Sequence, residues 1–202
     1  MSDECRLDEA APEDLRVAVR ERYDAIARDP GIDANFPVGR KHALALGYPA
    51  EVLAPIPKGV VDCFAGPAAP VLSAEIRAGE RVLDLGCGAG MDASIAAAAT
   101  GITGTVVGVD ASVEMVKTGR RRLGEGSVQV SMTAGHGAHL PFRDGAFDVV
   151  VANGLLNLES DREGVVREIA RVLEVGGRLV GAEVILVEEV DRSAFTVSDW
   201  FR

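Results

Sequence analysis

Two acids flank a glycine-rich bend in the middle of the chain, and their spacing limits the chemistry available there. The first, Asp84, lies in Val82-Leu83-Asp84-Leu85-Gly86-Cys87-Gly88-Ala89-Gly90. An apolar run meets glycines at alternate positions and continues into an alanine-rich stretch, Asp92 to Ala99, which reads as strand, tight turn and helix. Glycine in such a turn admits positive φ and lets a ligand approach the backbone closely. The helix that follows points free N–H groups and its positive dipole end at the turn. A dinucleotide fingerprint is GxGxxG; here the third glycine comes one residue early. Asp84, two residues before the first glycine, would repel a pyrophosphate. It would instead attract an ammonium, and a carboxylate beside that ammonium could meet the amides of the turn.

The second acid, Asp110, closes the run Thr105-Val106-Val107-Gly108-Val109. A carboxylate at the end of a second strand can accept both ribose hydroxyls of a nucleoside. Taken alone, it can equally cap the next helix through the amides of Ser112 and Val113. An amino-acid end and a ribose together describe S-adenosyl-L-methionine. The segment Ala134-Gly135-His136-Gly137-Ala138-His139 and the Asn153 that follows Phe147 to Ala152 lie where neighbouring strand ends converge.

These residues need a scaffold to hold them, and the pattern supplies one. From residue 80 the chain alternates strands near 81–85, 105–109, 127–131, 147–152 and 178–187 with helices near 90–100, 112–123 and 160–173. Val- and Ile-rich strands separated by helices predict parallel βαβ units with right-handed crossovers. Ligands bind such sheets beyond the carboxyl ends of the strands. Residues 1–79 read differently. After an acidic tail, Pro12 opens a helix with Glu13 and Asp14 in its first turn, Leu15, Val19, Tyr23 and Ile26 recur at helical spacing, and Asp29-Pro30-Gly31 ends it. Short helical pieces broken by prolines follow, as a lid or packing segment on the 80–202 core within a single domain.

At 202 residues and 48% hydrophobic content the chain can bury a sizeable core. A net charge of −10 argues against a nucleic-acid surface, which needs a basic face. Cys5, Cys63 and Cys87 show no disulfide or metal spacing. The acidic N-terminus lacks a signal peptide's apolar run, and no stretch approaches a membrane span, so a cytoplasmic location is expected.

Taken together, VLDLGCGAG, GVDAS-VEM, LPFRDGAFDVV and REIARVLEVGGRLV, across residues 76–186, resemble the class I S-adenosylmethionine-dependent methyltransferases. Within them the chain is most similar to the arsenite methyltransferase-related and ubiquinone/menaquinone-biosynthesis-type groups, and Asn35 to Arg40 and Ala45 to Pro49 resemble the arsenite-related branch. The resemblance implies a Rossmann-like α/β fold, a mostly parallel sheet with helices on both faces, and methyl transfer to a small-molecule acceptor. By it, Asp84, Gly86, Cys87 and Gly88 would hold the methionine end of the cofactor, Asp110 the ribose, and Ala111 and Met115 the adenine. Asn153 would approach the methionine portion. His136 and Gly137 stand where the family has an Asp-Ala pair contacting adenine; an imidazole there can bond to the base or stack on it, or be a surface-loop histidine. His139 and His42 are expected to face solvent or to pack.

The resemblance also implies departures. Arsenite methyltransferases hold the metalloid with several thiolates, which suit a soft centre. Here Gly154 follows Asn153 where one such cysteine would stand, Pro67 takes the place of another, Cys63 is out of register, and the chain ends at Arg202 before a third would appear after Trp200. Arsenite is therefore not the expected substrate. The family's last two strands have no sequence left, so an apolar edge at Leu179, Val180 and Val184 to Val187 is expected to pair with a second copy, with a partner chain, or with residues of a longer reading frame. No committed base is visible; Tyr23 could close over the site but reads better as packing. The alternatives are a cofactor-binding protein or subunit without its own activity, and a nicotinamide-dependent α/β enzyme.

Overall fold

In the computed structural model, which describes residues 11–32, 34–124, 130–185 and 196, one long helix, α1 (Pro12–Arg28), comes first. Four short helices follow it: α2 (Gly39–Ala45), α3 (Ala50–Leu53), α4 (Lys58–Val61) and α5 (Pro70–Ser73). Prolines account for their brevity. Pro49 and Pro57 precede α3 and α4 and Pro70 opens α5, so each ring starts a helix and the next one forbids its continuation.

The rest alternates: β1 (Arg81–Leu85), α6 (Met91–Thr100), β2 (Thr105–Asp110), α7 (Val113–Leu123), β3 (Ser131–Ala134), β4 (Phe147–Asn153), α8 (Arg162–Val172) and β5 (Leu173–Ala182). The sheet order is β3-β2-β1-β4-β5 and every pairing is parallel. Moving outward from β1 to β3 and then back across to β4 places a topological switch point between β1 and β4, the place where such sheets bind ligands.

Strand side chains alternate between faces. Val82, Val106, Val149 and Val151 join one buried cluster with α6, α7 and the N-terminal helices, while Leu83, Leu85, Val109 and Val150 join a second with Val165, Ile169 and Val172 of α8. The first 79 residues share the first cluster through Ile26, Tyr48, Leu53 and Val60. The second half of α1 is also pinned to α7. Ser112 Oγ donates to Asp24 Oδ1 at 2.5 Å, and Thr118 Oγ1 donates to the Ala27 carbonyl at 3.5 Å.

Two strands differ from expectation. β5 spans Leu173–Ala182, not 178–187, because α8 runs directly into it. Its Gly176-Gly177 pair, with Gly176 at φ 86°, sits beside a register shift between Phe147 and Val149. The glycine pair makes an irregularity inside the strand. Residues 186 and 187 of the expected strand lie outside the described residues. β3 is found at Ser131–Ala134 rather than 127–131, its register set by pairing of Asp110 with Ala134; residues 127–129 lie outside the described ones. β5 pairs with β4 on one side, and Leu179, Val184 and Ile185 are exposed. Among the described residues no helix is long and apolar enough to cross a membrane.

Candidate cofactor site

The carboxyl ends of β1, β2 and β4, the turns after them and the first half of α1 wall a cavity of about 270 Å³. Asp84, Gly86, Cys87, Gly88, Asp110, Ala111, Met115, His136, Gly137 and Asn153 all line it. Strand register explains the convergence: Leu85 lies beside Val109 on one side and Ala152 on the other, which brings Asp110 and Asn153 to flank the glycine turn.

Gly86, Gly88 and Gly90 take φ of 77°, 54° and 91°, a conformation other residues rarely adopt. A Cβ on Gly88 would meet nothing within 4 Å, so the bend leaves open space at that point. Four of its amides make bonds that close the turn itself. Gly86 and Cys87 both donate to the Val109 carbonyl, at 2.8 and 3.1 Å, and Gly90 donates to the Cys87 carbonyl at 2.8 Å. Gly88 donates to Asp110 Oδ2 at 2.7 Å. These bonds set the shape of the turn that a ligand carboxylate is expected to approach.

Asp110 therefore braces the turn. Its other oxygen, Oδ1, accepts from the Ser112 amide at 2.8 Å. The cap of α7 is Ser112, whose hydroxyl accepts from Met115 N at 3.0 Å, so Asp110 is not the helix cap that its position also allowed. A carboxylate has about four lone-pair sites, so two donors leave capacity for two more, as a ribose diol needs.

Asp84 is 2% exposed and its Oδ2 has no hydrogen-bond partner among the described residues. Burial, and next the charge of Asp92, push its carboxyl well above the usual range, while the Ala93 amide pulls the other way. Asp92 was legible in the sequence only as a first-turn acid of a helix. It accepts from Tyr48 Oη at 2.7 Å and from Asn153 Nδ2 at 3.1 Å, and burial raises its pKa despite both donors. Asn153 Nδ2 also donates to the Ala68 carbonyl at 2.8 Å, and Asn153 Oδ1 accepts from Ala68 N at 3.3 Å. Two buried carboxylates thus line one cavity, and no cation contributes to the pKa shift of either. That arrangement is costly unless a positive group from elsewhere joins it.

The remaining candidates sort by their contacts. Tyr23 lines the cavity, but burial and then the charges of Asp110 and Glu183 hold its phenol protonated, making it a hydrogen-bond donor rather than a base. His42 contacts the Gly66 carbonyl at 2.9 Å and stacks on Phe64, a packing role. His139 pairs with His136 through a backbone bridge. Cys63 and Cys87 both line the cavity as buried thiols. Burial pushes Cys63 up to about 11, and burial followed by Asp84 and Asp110 raises Cys87. Cys5 lies outside the described residues. Sequence reasoning missed Tyr48, Asp92, Arg16 and Glu159. Only Asp92, two residues after the last glycine of the turn, carried a local signal.

A parallel sheet in this order, with an acid-flanked glycine bend at its switch point, defines a Rossmann-like nucleoside-binding fold. Residues 76–201 match the family model described as a methyltransferase domain, and the chain belongs to the class I S-adenosylmethionine-dependent methyltransferases. It is similar to the arsenite methyltransferase of Halobacterium salinarum, at 34% identity over 86% of this chain and 48% of that protein. It is also similar to a ubiquinone/menaquinone biosynthesis C-methyltransferase of Stenotrophomonas maltophilia, at 37% identity over 65% of this chain and 49% of that one. Among solved structures, the arsenic(III) S-adenosylmethionine methyltransferase of Chlamydomonas reinhardtii superposes with a TM-score of 0.54, at 32% identity over 71% of this chain and 48% of that one. The chain thus spans about half the length of these relatives.

Proposed function

We propose that the chain binds S-adenosylmethionine in this cavity and transfers its methyl group to a small-molecule acceptor. The observation that carries the reading is the buried pair Asp84 and Asp92, with no cation beside it among the described residues, in the same cavity as a ribose-competent Asp110. When bound, the cofactor supplies a methyl group on a sulfonium, an electrophile that reacts by in-line displacement. The chain's own residues would do the positioning. Asp84 and Asp92 face the ammonium, Asp110 takes the ribose hydroxyls, Ala111 and Met115 pack on the base, and Asn153 holds Asp92 and the 68 segment in place. Tyr23 can donate a hydrogen bond but not remove a proton, so the reading favours an acceptor that is already nucleophilic, for which orientation supplies most of the rate.

The acceptor is proposed to be something other than trivalent arsenic, despite the similarity to arsenite methyltransferases. A soft centre needs several thiolates, and Gly154 and Pro67 stand where the arsenite-related resemblance implies two of the cysteines. The test is turnover with arsenite beside a panel of thiols, phenols and quinols. Methylation of an organic acceptor with arsenite inert supports the reading. Methylation of arsenite alone overturns the choice of acceptor. Binding of S-adenosylmethionine with no transfer to any member would favour a binding subunit.

A further inference from the structure

The base end of the cavity holds an acid that neither the glycine turn nor the strand ends supply. Glu159 follows a 3-10 turn, Leu156–Leu158, and lines the cavity beside His136 and Gly137. It is 8% exposed, and its Oε2 has no hydrogen-bond partner among the described residues. His136 Nε2 stands 3.3 Å from that oxygen but is not aligned to donate to it. The Ala138 amide donates to His136 Nδ1 at 3.3 Å, which leaves the proton of a neutral ring on Nε2. Burial moves the two groups in opposite directions, Glu159 up and His136 down, and the charge of Arg16, which lines the same cavity, draws Glu159 partly back without a hydrogen bond to its Oε2. A carboxyl oxygen so placed is an acceptor without a donor, and native proteins rarely leave one unpaired.

Its neighbours give the missing donor a shape. Ala111 and the fully buried Met115 form an apolar wall in the same cavity. Gly137 lies beside the carboxyl: a Cβ there would stand 3.7 Å from Glu159 Oε1, and 3.2 Å from Val165. Asp110, which faces the ribose under the reading above, is close enough to Glu159 for its charge to raise that pKa. Glu159 thus lines the same cavity as Asp110, Ala111 and Met115.

We propose that Glu159 accepts a hydrogen bond from the exocyclic amine of the cofactor's adenine, performing from the segment after β4 the acceptor role that a neutral His136 cannot. Glu159 is then a specificity-determining residue for the nucleobase. This assignment rests on the S-adenosylmethionine reading.

The test is calorimetric titration with S-adenosylhomocysteine and with its purine analogue lacking the exocyclic amine. The wild-type protein should prefer the amine-bearing ligand by about tenfold, the worth of one buried hydrogen bond. Glu159→Ala should bind both ligands within about twofold of each other, with affinity for the analogue as in wild type. Glu159→Leu, which fills similar volume without an acceptor, should behave the same way, and Glu159→Gln, which keeps an acceptor oxygen, should retain most of the preference. A tenfold preference that survives in Glu159→Ala or Glu159→Leu overturns this assignment alone. No binding of S-adenosylhomocysteine to the wild-type protein overturns the cofactor reading and this assignment with it.

Discussion

Asp84 and Asp110 sit at the carboxyl ends of adjacent strands and face one cavity, yet their surroundings are opposite. Asp110 is tied by both oxygens to backbone amides, of Gly88 and Ser112, and so helps build the bend that it borders. Asp84 has an unpartnered oxygen and a second buried carboxyl, Asp92, nearby. One acid is a structural brace with capacity to spare; the other is a strained group that gains its counterpart only from a ligand. Residues that look alike as site acids can therefore differ in what they do to stability, and the comparison predicts opposite signs for their replacement.

Asp110→Ala should give the largest loss. It removes the charge-assisted bonds to the Gly88 and Ser112 amides and the contacts to the ribose, each worth about 1.5–3 kcal/mol. S-Adenosylhomocysteine affinity should fall roughly a hundredfold or more by calorimetry, with a lowered Tm in the same protein. A variant with unchanged affinity would make Asp110 a brace only. Asp84→Asn should separate the two quantities. Affinity should fall about tenfold, because a charge facing the ammonium is lost, while Tm in the ligand-free protein holds or rises, because an uncompensated buried carboxyl is relieved. A lower Tm with affinity intact would assign Asp84 a structural role instead.

The pH dependence of stability does not separate the two acids, because burial raises Asp110 as well as Asp84, but it does test the pair Asp84 and Asp92. Asp84 and Asp92 have folded-state pKa values raised above those of the unfolded chain. Their contribution is therefore complete below the usual carboxylate range and is lost as pH rises through the folded value, about 6 for Asp92. Ligand-free Asp84→Asn should lose less stability between about pH 4.5 and 7 than wild type does. Glu168, drawn down to about 2 by Arg171, acts the other way and matters only as pH falls below that window. Parallel melting curves for the two proteins would contradict the pairing of Asp84 with Asp92.

Tyr48→Phe should have the smallest effect. It removes one donor to Asp92 and leaves Asn153 as the other, which should cost about 1 kcal/mol of stability and weaken the cofactor a fewfold. Differential scanning calorimetry and titration of the variant read both.

The sheet and the bend were legible because their signals are local. Val82 to Gly90 states a strand and a turn in nine residues, and β1, β2 and β4 fall where their Val- and Leu-rich runs place them. The start of β5 was not legible, because Gly176 and Gly177 lie in an irregular stretch between Leu173, paired with Phe147, and Arg178, paired with Val149. Tyr48, Asp92 and Glu159 were hidden for another reason. Tyr48 meets Asp92 across 44 positions of sequence, and Asn153 meets Asp92 across 61, so only the assembled fold shows that the acid at the start of α6 is a site acid. Glu159 stands in a polar stretch, Asn157 to Arg162, that reads simply as the start of a helix.

A titration of the wild-type chain with S-adenosylhomocysteine, repeated with Asp84→Asn and Asp110→Ala, tests the account most directly. It predicts one ligand per chain, weakened in both variants, with stability lost only in the second. Tight binding that neither substitution alters would contradict it.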